Sequence, residues 1–225
     1  IYAIGIAEDQ RRNNYYPFKK AQHITLPLPN LVFNNINNIP KEKKSNKTLL
    51  RYTGAFYESI RNPDCLIKML YHLNAENYKV EFYGDSCNYL KKHHVNLPKC
   101  VNLRGTVSTK ECQELMESAD VLINVSNSCP NQVPSKVFEY ISTGKPIINI
   151  YFIENDPSLI YLNKYPSILN IDAKKPLNYE EIDTFLASFK DTPKALLADI
   201  YEEYLCENIV KKMREFIEKN GENYE

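Results

Sequence analysis

Lys136 and Glu139 stand one helical turn apart, just after Ser135 and ahead of Gly144. Serine is a good N-cap and glycine a good residue to follow a C-cap, so the pattern predicts a short helix that begins at Ser135 and stops at Gly144. Helical spacing puts Val137, Phe138 and Ile141 on a buried face and Lys136, Glu139 and Thr143 on the other. An ammonium meets phosphates as a point charge, a carboxylate accepts both hydrogen bonds of a ribose diol, and a helix N-terminus favours anions. Together they would cradle a nucleoside diphosphate. The bland alternative is a surface ion pair worth about 0.2–0.5 kcal/mol.

Other chemistry is excluded by what the chain lacks. Gly144-Lys145 is followed by Pro146 where a phosphate-binding loop needs Ser or Thr, and no G-x-G-x-x-G occurs anywhere. His93 and His94 are adjacent, which on a helix aims them roughly 100° apart, so they read as a solvated pair and not as metal ligands. No Asp-x-Asp pattern is present, and no metal or other cofactor is expected. The six cysteines form no C-x-x-C and read as reduced, buried thiols of a cytoplasmic protein.

The elements that must position the pair are legible as short apolar runs alternating with helical patterns, the signature of β-α units around a parallel sheet. Predicted strands are Leu49–Ala55, Lys79–Tyr83, Cys100–Arg104, Val121–Val125, Pro146–Phe152 and Ile168–Ile171. Leu66, Met69, Leu70 and Leu73 recur at helical spacing, as do Cys112, Leu115, Met116 and Ala119, with Ser108 and Glu111 as a capping box. One or two more helices are expected over Lys194–Lys219. Of only six glycines, Gly54, Gly84 and Gly105 fall at the ends of successive strands, where ligands of such sheets bind.

Across 225 residues, 28 Lys and Arg balance 28 Asp and Glu. Zero net charge excludes a dedicated nucleic-acid binder. Hydrophobic residues at 43% and charged residues at 25% exclude disorder as the dominant state. No run approaches the roughly 18 apolar residues of a spanning helix, and residues 1–9 lack the basic region and cleavage site of an export signal. Residues 1–47, rich in Asn and Lys and broken by Pro27, Pro29 and Pro40, read as a connector or the remnant of a preceding domain, with a short strand at Gln22–Leu26. Residues 48–225 form the ligand-binding domain. The absence of an initial Met suggests a piece of a longer protein.

The run from Pro134 to Ile148, PSKVFEYISTGKPII, resembles the donor-binding signature of GT-B glycosyltransferases, in particular the retaining family 4-like group. Tyr52-Thr53-Gly54-Ala55 with Arg61-Asn62-Pro63, Tyr83-Gly84-Asp85, Val101 to Ser108 and Ala119 to Ile123 resemble that family's successive strand ends, over residues 48–150. The resemblance implies an α/β Rossmann-like fold, the C-terminal half of a two-domain enzyme that transfers a nucleotide-activated sugar to a hydroxyl acceptor such as a glycan. Glu139 matches the second glutamate of the E-x7-E motif, which binds the donor ribose. Arg61 and Lys136 would meet the pyrophosphate beside Ser135 and Gly54, and Gly105, Thr106 and Val107 would border the base. Two positions depart from the family: Asn131 stands at the first glutamate, where its amide would meet the sugar, and Ala55 replaces the arginine after the first-strand glycine. No catalytic residue is assigned. The acceptor would sit on an N-terminal domain of the same protein, so this chain alone should bind donor but turn over poorly, and the longer protein could lie peripherally at a membrane. A nucleotide-sugar epimerase and a non-catalytic domain with a degenerate pocket remain alternatives.

Overall fold

The predicted alternation is realised as one six-stranded sheet in the computed structural model, which describes residues 2–5, 23–26, 31, 33, 46–94, 96–130 and 132–221. Its strands are β3 (Thr48–Thr53), β4 (Tyr78–Tyr83), β5 (Val101–Gly105), β6 (Val121–Val125), β7 (Ile147–Tyr151) and β8 (Ile168–Asp172). All neighbours are parallel, in the order β5-β4-β3-β6-β7-β8. Ahead of them, β1 (Tyr2–Gly5) and β2 (His23–Leu26) pair in parallel as a separate ribbon. The expected strand at 22–26 is therefore present, and its partner at 2–5 is an addition.

Buried parallel strands read as continuous apolar runs because helices cover both faces, and every residue of β6 is buried. On one face, Leu66 and Leu70 of α1 (Asp64–His72), Leu90 of α2 (Ser86–His93) and Ile182 and Leu186 of α6 (Tyr179–Ser188) form a single core. The other face is covered by Met116 of α3 (Thr109–Glu117), Phe138 of α4 (Lys136–Thr143), Tyr161 of α5 (Leu159–Leu162) and Leu197 of α7 (Lys194–Ile200). The expected C-terminal helices are α7 and α8 (Cys206–Gly221), separated by a short 3-10 turn. Leu31 is buried and bridges to Leu205 at the start of α8. The Ser108–Glu111 capping box forms as expected.

The strand order reverses between β3 and β6, because the chain moves outward to β5 and then crosses back through α3. A crevice at the carboxyl ends of the strands on either side of such a reversal is where open α/β sheets bind ligands. Three of the glycines mark that edge. Gly54 N–H donates to Tyr83 O at 3.0 Å, Gly84 N–H to Gly105 O at 2.8 Å and Ser86 N–H to Gly54 O at 3.0 Å, which ties the tips of β3, β4 and β5 together. Gly84 has φ +88°, and a Cβ there would lie 2.8 Å from Gly54 O, so no other residue fits.

The cysteine expectation needs correction. All six thiols are free, but only Cys87 and Cys100 are buried; the other four are partly exposed. Nor are the adjacent histidines simply solvated: His93 stacks on Tyr89 with ring centroids 4.4 Å apart, and His94 Nε2 lies 3.8 Å from Asp64.

Candidate functional site

Arg61 sits across the reversal point. It lies in the loop between β3 and α1, and its Nε and Nη2 both donate to Asn127 Oδ1, at 3.0 and 2.7 Å, just beyond the end of β6. Its Nη1 donates to Ala55 O at 3.3 Å, and the same carbonyl accepts from Tyr52 Oη at 2.9 Å. Burial pushes the Tyr52 hydroxyl up, against a smaller opposing pull from Arg61. The two loops are fastened at a second point, where Ser128 N–H donates to Ile60 O at 2.7 Å and Ser128 Oγ to Ser59 O at 3.0 Å. A guanidinium held by three bonds on two strand ends has little freedom left to lose when an anion arrives.

Lys136 and Glu139 lie on the first turn of α4. Lys136 Nζ donates to Glu139 Oε2 and also approaches Cys112 Sγ at 3.5 Å and Met116 Sδ at 4.0 Å, both on α3. The pair is partly exposed, at 28% and 39% for the two side chains. Burial pulls the Lys136 ammonium down, but the hydrogen bond to Glu139 and its charge outweigh that and leave it above its ordinary value. Glu139 Oε1 has no hydrogen-bond partner among the described residues. α4 is pinned to the tip of β3 through Tyr140, whose Oη accepts from Thr53 N at 3.2 Å and shares a hydrogen bond with Thr53 Oγ1 at 3.1 Å.

Two expectations for α4 fail. Ser135 is the residue before the helix but does not cap it: it already has helical dihedrals, φ −57° and ψ −30°, so its side chain cannot reach back, and the turn is closed by Val137 N–H to Pro134 O at 3.1 Å. Thr143 does not share the exposed face with Lys136 and Glu139. It is buried, donates to Tyr140 O at 2.7 Å and accepts from Lys145 N at 3.0 Å. The reason is a second layer, since α7 packs on α4 from the far side. Gly144 ends the helix at φ +78°, and a Cβ there would stand 2.5 Å from Thr192 O. Val137, Phe138 and Ile141 are buried as expected.

Thr106 is exposed and Val107 partly buried in the segment from Gly105 into α3. Asn131 lies outside the described residues. Asn127 and Ser128 were missed by sequence reasoning; only the polar character of the stretch after β6 hinted at them. Among the described residues, no three of His, Cys, Asp or Glu converge as a metal site would require, and no helix is long and apolar enough to cross a membrane.

Comparison with known proteins supplies the remaining findings. Residues 47–153 match the family described as glycosyl transferases group 1. No curated protein sequence is a significant match. Among solved structures, the chain is similar to the sucrose-phosphate synthase from Thermosynechococcus elongatus, with a TM-score of 0.66 at 11% identity over 97% of this chain and 57% of that one. It is also similar to the GtfA/B complex, with a TM-score of 0.62 at 11% identity over 97% of this chain and 45% of the other. HepE from Anabaena, solved in complex with UDP-glucose, gives a TM-score of 0.56 at 13% identity over 77% of this chain and 49% of that one. The chain thus spans about half the length of these structures.

Proposed function

We propose, from the match of residues 47–153 to glycosyl transferases group 1 and the GT-B-like fold, that the chain binds a nucleoside-diphosphate sugar at the reversal between β3 and β6 and presents it for transfer to a hydroxyl acceptor. The observation that carries this reading is the placement of Arg61, a guanidinium fixed between the ends of the two strands that flank the reversal. Transfer breaks the bond between the sugar's anomeric carbon and the diphosphate oxygen, and negative charge develops on the departing diphosphate. Arg61, Lys136 and the positive end of α4 supply the complementary charge, already oriented before the reaction begins.

Glu139 takes the ribose hydroxyls. Lys136 holds Oε2 and leaves Oε1 facing outward, so the first ribose hydroxyl meets a carboxylate that is already oriented. As the diphosphate arrives, the Lys136 ammonium shares itself between phosphate and carboxylate, which costs less than releasing either charge into an unpaired state. Gly105, Thr106 and Val107 flank the base. The acceptor is carried by the other half of the two-domain architecture.

Calorimetric titration with UDP, GDP and ADP tests the reading. One of the three is expected to bind saturably, well ahead of the other two. Failure of all three would remove the donor-binding role and leave a domain that keeps the fold without the pocket.

A further inference from the structure

A second cavity lies at the same edge of the sheet but away from the reversal, and Lys136 and Glu139 take no part in it. Its volume is about 410 Å³, and it lies open to solvent between the first turns of α1 and the loop from β8 to α6, with Phe152 after β7 along one side. A space of that size accommodates a small metabolite. Three lysines, Lys68, Lys174 and Lys175, all exposed, line it together with one acidic residue, Asp64.

The nearby acids are already engaged elsewhere. Asp64 lies 3.8 Å from His94 Nε2, Asp172 Oδ2 lies 3.5 Å from Lys175 Nζ, and Asp172 Oδ1 accepts from Lys174 N–H at 3.0 Å. Lys68 and Lys174 have no ion-pair partner among the described residues. In an otherwise neutral chain, two uncompensated ammoniums facing one hollow make a local positive field. Burial pushes the Cys65 thiol up, Lys68 pulls it down and Asp172 pushes it up again. α1 adds its positive end: Pro63 at its start has no side-chain group to cap it, although Asn62 Oδ1 accepts from Asp64 N–H. Phe152 and Leu177 supply an apolar wall for an organic moiety.

We propose that this cavity is a binding site for a phosphate group, carried by a small phosphomonoester or present as the free ion, and separate from the donor crevice. A phosphomonoester carries about −1.5 to −2 charges at neutral pH, which two free ammoniums and a helix N-terminus match; a carboxylate would leave one cation unused. Asn62 lines the cavity directly beside Arg61, and its Oδ1 accepts from Asp64 N–H at 2.7 Å.

The test is titration of the 225-residue chain with inorganic phosphate and with glucose 6-phosphate, followed by chemical-shift changes. Lys68→Ala/Lys174→Ala should weaken both at least tenfold, Lys68→Arg/Lys174→Arg should retain binding, and Arg61→Ala/Lys136→Ala should leave it unchanged. Tighter binding of the ester would identify an organic phosphate as the occupant, whereas equal binding would identify the free ion. Absence of saturable binding to the wild type overturns the proposal. So does binding that survives loss of Lys68 and Lys174, or that disappears only with Arg61 and Lys136. None of these results bears on nucleotide binding at Glu139, so the two readings stand or fall separately.

Discussion

In the β5-β4-β3 half of the sheet the largest buried polar side chains of the strands are charged. Glu81 is almost fully buried and takes Arg51 Nε at 3.0 Å, Arg104 Nη2 at 2.7 Å, Lys79 Nζ at 2.8 Å and Tyr83 Oη at 3.0 Å. In the β6-β7-β8 half they are amides. Asn124 Nδ2 donates to Asn149 Oδ1 at 2.7 Å, and Asn149 Nδ2 donates to Asn170 Oδ1 at 2.8 Å, across three strands in register. Both networks lie on the face that packs against α3, α4 and α7, as the alternation of side chains requires. The charged half holds together only while its charges are paired, so it is costly to break and sensitive to pH. The amide half is neutral, and a one-residue slip of any strand would turn its asparagine to the opposite face. The proposed donor site lies where the two halves meet, spanned by Arg61 to Asn127 and by Tyr140 to Thr53.

The contrast is broken most severely at Glu81. Glu81→Leu removes the carboxylate that Arg51, Arg104 and Lys79 share, and should cost about 3–5 kcal/mol in urea unfolding. The Arg51→Met/Glu81→Leu double variant should recover most of that loss. Burial alone would raise Glu81, but hydrogen bonds from Lys79, Arg104, Arg51 and Tyr83 overcome it and bring the carboxyl to about 2 from its ordinary 4.5. A lowered value in the folded state gives stability that is complete above pH 4.5 and lost as pH falls toward 2. The wild type should show that acid window, and Glu81→Gln should flatten it.

In the amide half the expected effect is smaller. Asn149→Leu would leave Asn170 Oδ1 and Asn124 Nδ2 short of a partner, at a cost of about 1–3 kcal/mol, and the acid profile should keep its shape. The smallest effect is expected at Asp156, which is 3% exposed and whose Oδ2 has no hydrogen-bond partner among the described residues. Burial raises its carboxyl, and the Ser158 backbone together with the Ser158 and Ser126 hydroxyls offsets this only in part. A raised value in the folded state has the opposite sign: stability is greatest below the ordinary 3.8 and declines as pH rises through the raised value. Asp156→Asn should therefore melt like the wild type at pH 3 and be more stable at pH 8, by about 0.5–1.5 kcal/mol.

Much of the sheet was legible because its strands are short, mostly apolar runs, three of which, β3, β4 and β5, end at or beside a glycine. Boundaries moved by no more than two residues. The helices read less well. α2 presents only Cys87 and Leu90 among its buried apolar residues and has no sustained period. α6 buries Ile182 and Leu186 behind an Asn178 cap that passed unnoticed among polar neighbours. On α4 a single buried face was expected, but a helix sandwiched between the sheet and α7 buries Tyr140 and Thr143 as well. The Lys136–Glu139 pair followed from spacing, because partners one turn apart must meet. The Arg61–Asn127 contact joins residues 66 apart in the chain, and nothing local in one sequence encodes such a pairing. Gly84 and Gly144 were visible as punctuation, although the reason no other residue fits either position is a close approach of distant backbone.

The donor assignment gives the ribose to Glu139, and nucleotide titration of Glu139→Ala against the wild type tests it most directly. Since the side chain is partly exposed and its one bond is to a neighbour on the same helix, the variant should keep the wild-type melting temperature. Its affinity for the nucleoside diphosphate should fall at least tenfold, as expected for a lost charged hydrogen bond. A variant that melts normally and binds the nucleotide as tightly as the wild type would contradict the account.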